Sequence, residues 1–144
     1  MGMFGAIDAA ASGMTAERLR MDVIANNLAN ANSTRTAEGG PYRRQMVVFA
    51  PRSDGSVFGQ VLAASLEGGA GVRVVGIVKD ESPLKMVYDP HHPDANTDGY
   101  VAMPNVNVVA EMVDMMTATR AYEANVTAVN AAKGMASKAL EIGR

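Results

Sequence analysis

The strongest constraint on the fold is a helical periodicity at both ends of the chain that is absent from its middle. In the first 31 residues, bulky apolar side chains recur at every seventh position: Ile7, Met14, Met21 and Leu28. A seven-residue repeat is typical of a helix that packs along a partner helix. We therefore predict a helix from Phe4 to Ala31. The segment Asn26–Ser33 should end it, because Asn favours caps and turns.

The second periodic segment predicts a longer helix from Val106 to Ile142. Asn107 is a suitable N-cap, and Glu111 and Asp114 would then lie near the positive end of the helix dipole. One apolar stripe follows alternating steps of three and four residues: Met112, Met115, Thr119, Tyr122, Val126, Val129, Ala136 and Leu140. A second face carries small residues: Ala118, Ala121, Ala128, Ala132 and Ala139. Two such helices are expected to pair.

The middle of the chain, residues 34–103, differs from both ends in composition. It holds most of the glycines and five of the six prolines. Short β-type runs alternate with these turn residues, and they predict strands at Tyr42–Ala50, Ser56–Leu62, Gly71–Lys79 and Lys85–Tyr88. The expected fold class is mainly α with a β-rich insert. The long N- and C-terminal helices (1–33 and 104–144) pair as an α-helical coiled coil, and 34–103 form a small irregular β middle.

Composition narrows the function. Apolar residues make up 48% of the chain but aromatic residues only 5%, so the usual anchors of a compact core are scarce. Apolar residues on more than one helix face need further cover, which favours helices that become fully ordered inside a larger assembly over a simple helical dimer.

Several classes of function are disfavoured. The chain has no cysteine, which removes disulfides, Cys-bound metals and Cys nucleophiles. A net charge of −2 without a basic patch argues against nucleic acid. No apolar run is long enough to span a membrane, and the N-terminus lacks the pattern of a cleaved secretory signal. With no GxSxG, P-loop or GxGxxG motif, we expect neither catalysis nor a cofactor.

One polar segment leaves an alternative open. Asp94, Asn96, Asp98 and Gly99 match the start of a calcium-binding loop, but position 12 of that loop would be Asn105 and not a bidentate Glu. A calcium- or metal-dependent binding module centred on Asp94–Gly99 is therefore the alternative function, and a hydrogen-bonded turn is the preferred interpretation.

The chain as a whole resembles the axial proteins of the bacterial flagellum, the rod and hook family. The resemblance rests on ANNLANANS (Ala25 to Ser33) at the end of the first helix and on MPNVNVVAEMVDMMTATRAYEANV (Met103 to Val126) in the second. Gly40–Arg43 and VYDPHHPDANTDGYVAMPNV (Val87 to Val106) are most similar to the proximal-rod members, and another rod subunit is the alternative within the family. The segment from Ser53 to Gly71 departs from the family pattern in its length.

This resemblance implies a structural subunit of the basal-body rod, a tubular drive shaft that crosses the periplasm and transmits torque to the hook. Such subunits leave the cell through the flagellar type III export apparatus without a cleaved signal. Implied partners are copies of the chain, other rod proteins and the ring–rod junction protein. By motif match, Asn27, Leu28 and Asn30 make the turn out of the inner layer, and Val108, Met112, Met115, Tyr122 and Val126 lie in the helical packing. Together with the stripes above, the expected assembly interface adds Ile7, Met14, Met21, Val129 and Leu140.

Overall fold

The computed structural model describes residues 3–52 and 71–143, which form two long helices and four short strands. In chain order these are α1 Met3–Ala29, β1 Gln45–Pro51, β2 Val72–Lys79, β3 Lys85–Tyr88, β4 Tyr100–Met103 and α2 Val108–Ile142. The prediction of a mainly helical chain with a β-rich middle is confirmed. The predicted strand Ser56–Leu62, and residues 53–70 of the segment that departs from the family pattern, lie outside the described residues.

Both helices end close to their predicted bounds, for the predicted reasons. Beyond Ala29 the chain leaves the helix in a turn, in which Ala31 N donates to Leu28 O at 3.3 Å and the Asn30 side-chain nitrogen donates to Asn26 O at 3.0 Å. At the other helix, the Asn107 side-chain oxygen accepts hydrogen bonds from Val109 N at 3.1 Å and Ala110 N at 3.2 Å. Asn107 is thus the N-cap, and α2 begins one residue later.

The most buried residues of both helices recur at seven-residue steps, but in α1 they are not those of the bulky apolar stripe. In α1 the buried residues are Ala16, Val23, Ile24 and Asn27; in α2 they are Glu111, Ala118 and Ala132. The bulky stripe of Ile7, Met14, Met21 and Leu28 is only half-buried. The buried positions thus combine alanines with Val23, Ile24 and the polar Asn27 and Glu111.

The middle of the chain forms two separate two-stranded sheets, β1 with β2 and β3 with β4. Strand β3 matches its prediction, and it pairs antiparallel with β4 in the register Lys85 to Met103 and Tyr88 to Tyr100. Strand β4, which is equally short, was not predicted; it is defined by its pairing with β3 and not by a sequence pattern of its own. Strand β1 begins three residues later than predicted, since the backbone N–H groups of Tyr42 and Arg44 instead donate to Ser33 O and Asn105 Oδ1.

The contacts divide the chain into two compact units, each containing parts of both helices. The first comprises the described residues of 1–19, 48–76 and 117–144. Here Ser12 Oγ donates to Ala9 O at 2.7 Å and accepts from Val72 N at 3.0 Å, which joins α1 to the start of β2. Gly71 precedes that strand with φ +93°, and a Cβ on it would lie 2.3 Å from Ser12 Oγ. Only glycine therefore fits at position 71.

The second unit comprises residues 20–47 and 77–116. Its buried apolar residues are Val23, Ile24, Tyr42 and Val101, and its buried polar residues are Asn27 and Glu111. Within this unit α1 and α2 run antiparallel, since Asn27 faces Glu111 while the earlier Arg20 faces the later Asp114. Among the described residues, neither helix is both long and apolar enough to cross a membrane.

Candidate assembly surface

Asn27 is the centre of a buried polar cluster in the second unit. Its side chain is 1% exposed and makes four hydrogen bonds. The amide nitrogen donates to Glu111 Oε2 at 2.9 Å and to Gln45 O at 2.8 Å. The amide oxygen accepts from Tyr42 Oη and from Gln45 N, both at 2.9 Å. Two donors and two acceptors are the full capacity of an amide side chain, so Asn27 is completely satisfied.

Arg44 supplies the positive charge of the cluster. Its Nε donates to Glu111 Oε1 at 2.5 Å, and its guanidinium reaches Asp114 at 3.3 Å and Asp80 at 3.7 Å. A second arginine, Arg20 of α1, places its guanidinium 3.8 Å from the Asp114 carboxylate. A fully buried carboxylate such as Glu111 is tolerated only when it is paired and hydrogen-bonded, and Arg44 with Asn27 provides both.

The cluster alters the ionisation of its members. Burial acts to lower the pKa of Arg44, but the bond to Glu111 and the nearby carboxylates outweigh it, so that pKa lies above its ordinary value. Burial, and then the charge of Glu111, raises the pKa of the Tyr42 phenol. Both groups therefore remain protonated near neutral pH and keep donating to Glu111 and Asn27.

Asn105 connects the cluster to the loop that follows β2. Its side-chain oxygen accepts from Arg44 N at 2.8 Å, and its nitrogen donates to Asp80 O at 3.1 Å and to Ser82 Oγ at 2.9 Å. The chain just before β1, the end of β2 and the chain before α2 are thus held together by one side chain. Asn105, Tyr42 and Arg44 were missed as structural residues because each stands alone in sequence, without periodicity.

The side of α2 opposite Glu111 is apolar and exposed. We call it the outer face, and its residues are Val109 (71% exposed), Met112 (54%), Val113 (51%) and Met116 (56%). At 3.6 residues per turn these four side chains lie away from Glu111 and Asp114. Fully burying one such side chain stabilises a fold by about 1.5–3 kcal/mol. Because these four are about half exposed, the chain lacks roughly 3–6 kcal/mol of the stabilisation that their full burial would give.

The predicted interface residues fall into three groups. Val108, Met112 and Leu140 are exposed, as are Met135 and Ile142 near the end of α2. Asn27 is buried inside the chain. The remaining predicted residues are half-buried: Ile7, Met14, Met21, Leu28, Asn30, Met115, Tyr122, Val126 and Val129. The structure thus leaves part of the predicted interface accessible and uses Asn27 for the internal fold.

The Asp94–Gly99 segment forms the hydrogen-bonded turn that the sequence favoured. Asp94 accepts from Thr34 Oγ1 at 2.8 Å and pairs with Arg35. The Asn96 side-chain oxygen accepts from Asp98 N and Tyr100 N at 3.0 and 2.8 Å. Both carboxylate oxygens of Asp94 and the amide oxygen of Asn96, which a calcium loop would need, are therefore engaged by the protein. Among the described residues, no group of three or more His, Asp or Glu side chains is placed to hold a metal ion.

Comparison with known proteins gives matches at both ends of the chain and along its whole length. The family model described as "Flagella basal body rod protein" matches residues 7–35, and the one described as "Flagellar basal body rod FlgEFG protein C-terminal" matches residues 97–142. The flagellar basal-body rod protein FlgC of Borreliella burgdorferi is 52% identical, covering 99% of this chain and 98% of the relative. The proteins of the same name from Bacillus subtilis and Salmonella typhimurium are 49% and 41% identical, with complete coverage of both chains.

Proposed function

Since this chain belongs to the FlgC family of flagellar basal-body rod proteins and is a structural subunit of that rod, we propose that it assembles with neighbouring axial subunits through the outer face of α2. The observation that carries the proposal is the exposure of Val109, Met112, Val113 and Met116, four apolar side chains side by side on one helix. Contiguous exposed apolar surface is typical of a protein–protein interface.

The proposal extends to the other predicted interface residues. Val108 and Leu140 are exposed and would make contacts of the same apolar kind. The half-buried stripe of α1 would contribute the part of its surface that the chain itself leaves uncovered. In this arrangement residues 1–33 and 104–144 form the inner helical layer of the rod, and residues 34–103 pack outside it. Contacts between unlike surfaces that do not close a ring generate a helical filament, the symmetry that a tubular shaft requires.

Partners and location follow from the same proposal. The neighbours would be other copies of this chain, other rod proteins, the ring–rod junction protein and, before assembly, the flagellar type III export apparatus. The subunit would reach the periplasmic rod without a cleaved signal. Its role there would be mechanical, transmitting torque to the hook, with no catalytic step and no cofactor.

The direct test is to locate the protein. A compact epitope tag placed within residues 53–70 should appear by electron microscopy as antibody density on the rod of isolated basal bodies. As a control, the same tag on a hook protein should label only the hook. Basal bodies that carry intact rods but never the tag, from cells in which the tagged chain restores motility, would contradict the proposal.

A further inference from the structure

In the first turns of α2, acidic side chains face the protein interior and large apolar side chains face solvent. The side that points into the second unit carries two carboxylates, Glu111 and Asp114, and Glu111 is 0% exposed. The side that points out carries the four apolar residues of the outer face. Burial of apolar surface alone would favour the opposite rotation, with Met112 and Met116 inside and Glu111 in water.

Polar contacts from two other segments hold this orientation. Asn27, at the end of α1, donates to Glu111 Oε2 at 2.9 Å. Arg44, just before β1, donates to Glu111 Oε1 at 2.5 Å and to Asp114 Oδ2 at 3.3 Å. We call Asn27, Arg44, Glu111 and Asp114 the inner cluster. Because its members lie on three separate segments, it fixes how α2 is turned about its axis as well as where it lies.

We propose that the inner cluster is a positioning device that keeps the outer face of α2 turned away from the protein's own core and open to a partner. The polar bonds are directional, whereas apolar contacts between Val and Met side chains are not. Without the cluster, α2 would rotate and bury its outer face inside the same chain. The orientation itself does not depend on what binds there; only its consequence, presentation to a neighbouring rod subunit, rests on the proposed function.

In some proteins, buried polar or ionic groups specify one arrangement among several at little gain in stability. Replacing them with apolar residues of similar size therefore isolates orientation from folding. The test variant replaces the three charged members of the cluster, Arg44→Met, Glu111→Leu and Asp114→Leu, and keeps Asn27 because Tyr42 and Gln45 also bond to it. Because the chain has no cysteine, a single thiol can report on exposure. The reporter is Val109→Cys on the outer face, and its matched control is Tyr88→Cys on β3, which is 64% exposed and lies off the helix.

The measurement is the rate at which a small maleimide modifies each thiol in the purified full chain. Thiol modification follows exposure, so we expect the Val109→Cys rate to fall about tenfold or more in the triple variant, while the Tyr88→Cys rate stays within about twofold. Adding Met112→Gln and Met116→Gln to the triple variant removes the apolar surface whose burial would drive the rotation, so the fast Val109→Cys rate should return. The single variant Glu111→Gln keeps an acceptor for either Asn27 or Arg44 but turns an amide N–H toward the other, so its Val109→Cys rate should lie between those of the unmodified chain and the triple variant.

An unchanged Val109→Cys rate in the triple variant would overturn the inference. Loss of helical circular dichroism with faster modification of both thiols would also overturn it, since the rotated helix is claimed to be a folded alternative. The proposed function is judged separately. If the rate is unchanged but Met112→Asp still stops motility, the positioning role fails and the assembly surface stands. If the rate falls but Met112→Asp cells swim normally, the orientation stands and the assembly surface fails.

Discussion

Asn125 of α2 lies directly against Gly13 of α1, so close that a Cβ atom on Gly13 would stand 2.8 Å from Asn125 Nδ2 and 3.2 Å from Asn125 Cγ. Glycine inside a helix ordinarily destabilises it by up to about 1 kcal/mol relative to alanine. At Gly13 the missing methyl group instead permits the two helices to touch. The same residue is a weakness of the isolated helix and a requirement of the helix pair.

Alanine substitutions at two helical glycines should therefore have different effects. At Gly134 a Cβ would meet nothing within 4 Å, so Gly134→Ala should raise the free energy of unfolding by about 0.5–1 kcal/mol. Gly13→Ala should gain less or lose stability, because Asn125 must move. Thermal unfolding followed by circular dichroism measures both. Adding Asn125→Ala should recover part of the loss at Gly13, and equal gains from Gly13→Ala and Gly134→Ala would contradict the close contact.

A second pair of glycines separates backbone strain from crowding. Gly71 and Gly39 both have positive φ, +93° and +87°. Alanine at Gly39 should cost about 1–2 kcal/mol, the penalty of a left-handed backbone for a residue with a Cβ. Alanine at Gly71 should cost more, because its Cβ would also lie 2.3 Å from Ser12 Oγ and 3.2 Å from the backbone of Ala9. Denaturant unfolding gives the difference, and equal costs would show that the contact with Ser12 is not maintained in solution.

Charge on the outer face should prevent assembly without unfolding the subunit. Met112 is 54% exposed, so Met112→Asp should leave the circular dichroism spectrum unchanged but abolish motility, because an unpaired carboxylate would be buried at the interface. Met112→Leu keeps the apolar surface and should swim. His91→Ala, at an exposed turn residue, should also swim. Loss of swimming with His91→Ala and normal swimming with Met112→Asp would mean that the assembly surface lies elsewhere.

The cap of α2 should contribute measurably to stability. Asn107→Ala removes the acceptor for Val109 N and Ala110 N and should lower the free energy of unfolding by about 1 kcal/mol. Asn107→Asp keeps the acceptor and should be close to neutral. Chemical denaturation of the two variants beside the unmodified chain measures the effect. An equal loss in both variants would indicate that the backbone, and not the side chain, is the source of stability at this position.

Acid should weaken the contact between the turn at Asp94 and the chain after α1. The hydrogen bond from Thr34 lowers the pKa of Asp94 below its ordinary value of 3.8, burial partly opposes this, and the charge of Arg35 adds to it. Since the pKa is lower in the folded state, the stabilisation is complete above about pH 4 and is lost as the pH falls through the folded value. Asp94→Asn and Thr34→Val should therefore lose less stability on acidification than the unmodified chain. Parallel acid profiles for all three proteins would contradict this.

The sequence predicted the elements well because the long helices carry a repeated pattern. The seven-residue period, the Asn-rich end of α1 and the cap at Asn107 each depend on local chemistry, and each is confirmed. The short strand β4 has no such repetition and was missed. The residues on the predicted interface could be placed on helix faces, but their assembly contacts stay a prediction.

Hydrophobicity did not predict which side of each helix is buried. Ala16, Ala118 and Ala132 are buried, but alanine gives only a weak hydrophobic signal in sequence. Glu111 lies in the first turn of α2, as predicted, but nothing in its sequence context indicated that it is fully buried. Its burial depends on Arg44, a residue 67 positions away in sequence, so no local pattern reports it.

Because the Asn27 amide makes all four of its possible hydrogen bonds, other side chains cannot replace it without loss. Aspartate has nearly the same shape, but it would bring a carboxylate against Glu111 and against the carbonyl of Gln45, where two donated hydrogen bonds now stand. Leucine would leave the Tyr42 hydroxyl and the Gln45 amide without their acceptor. Hydrolysis of this one amide to a carboxylate would thus convert an attraction into a repulsion at the contact between the two helices.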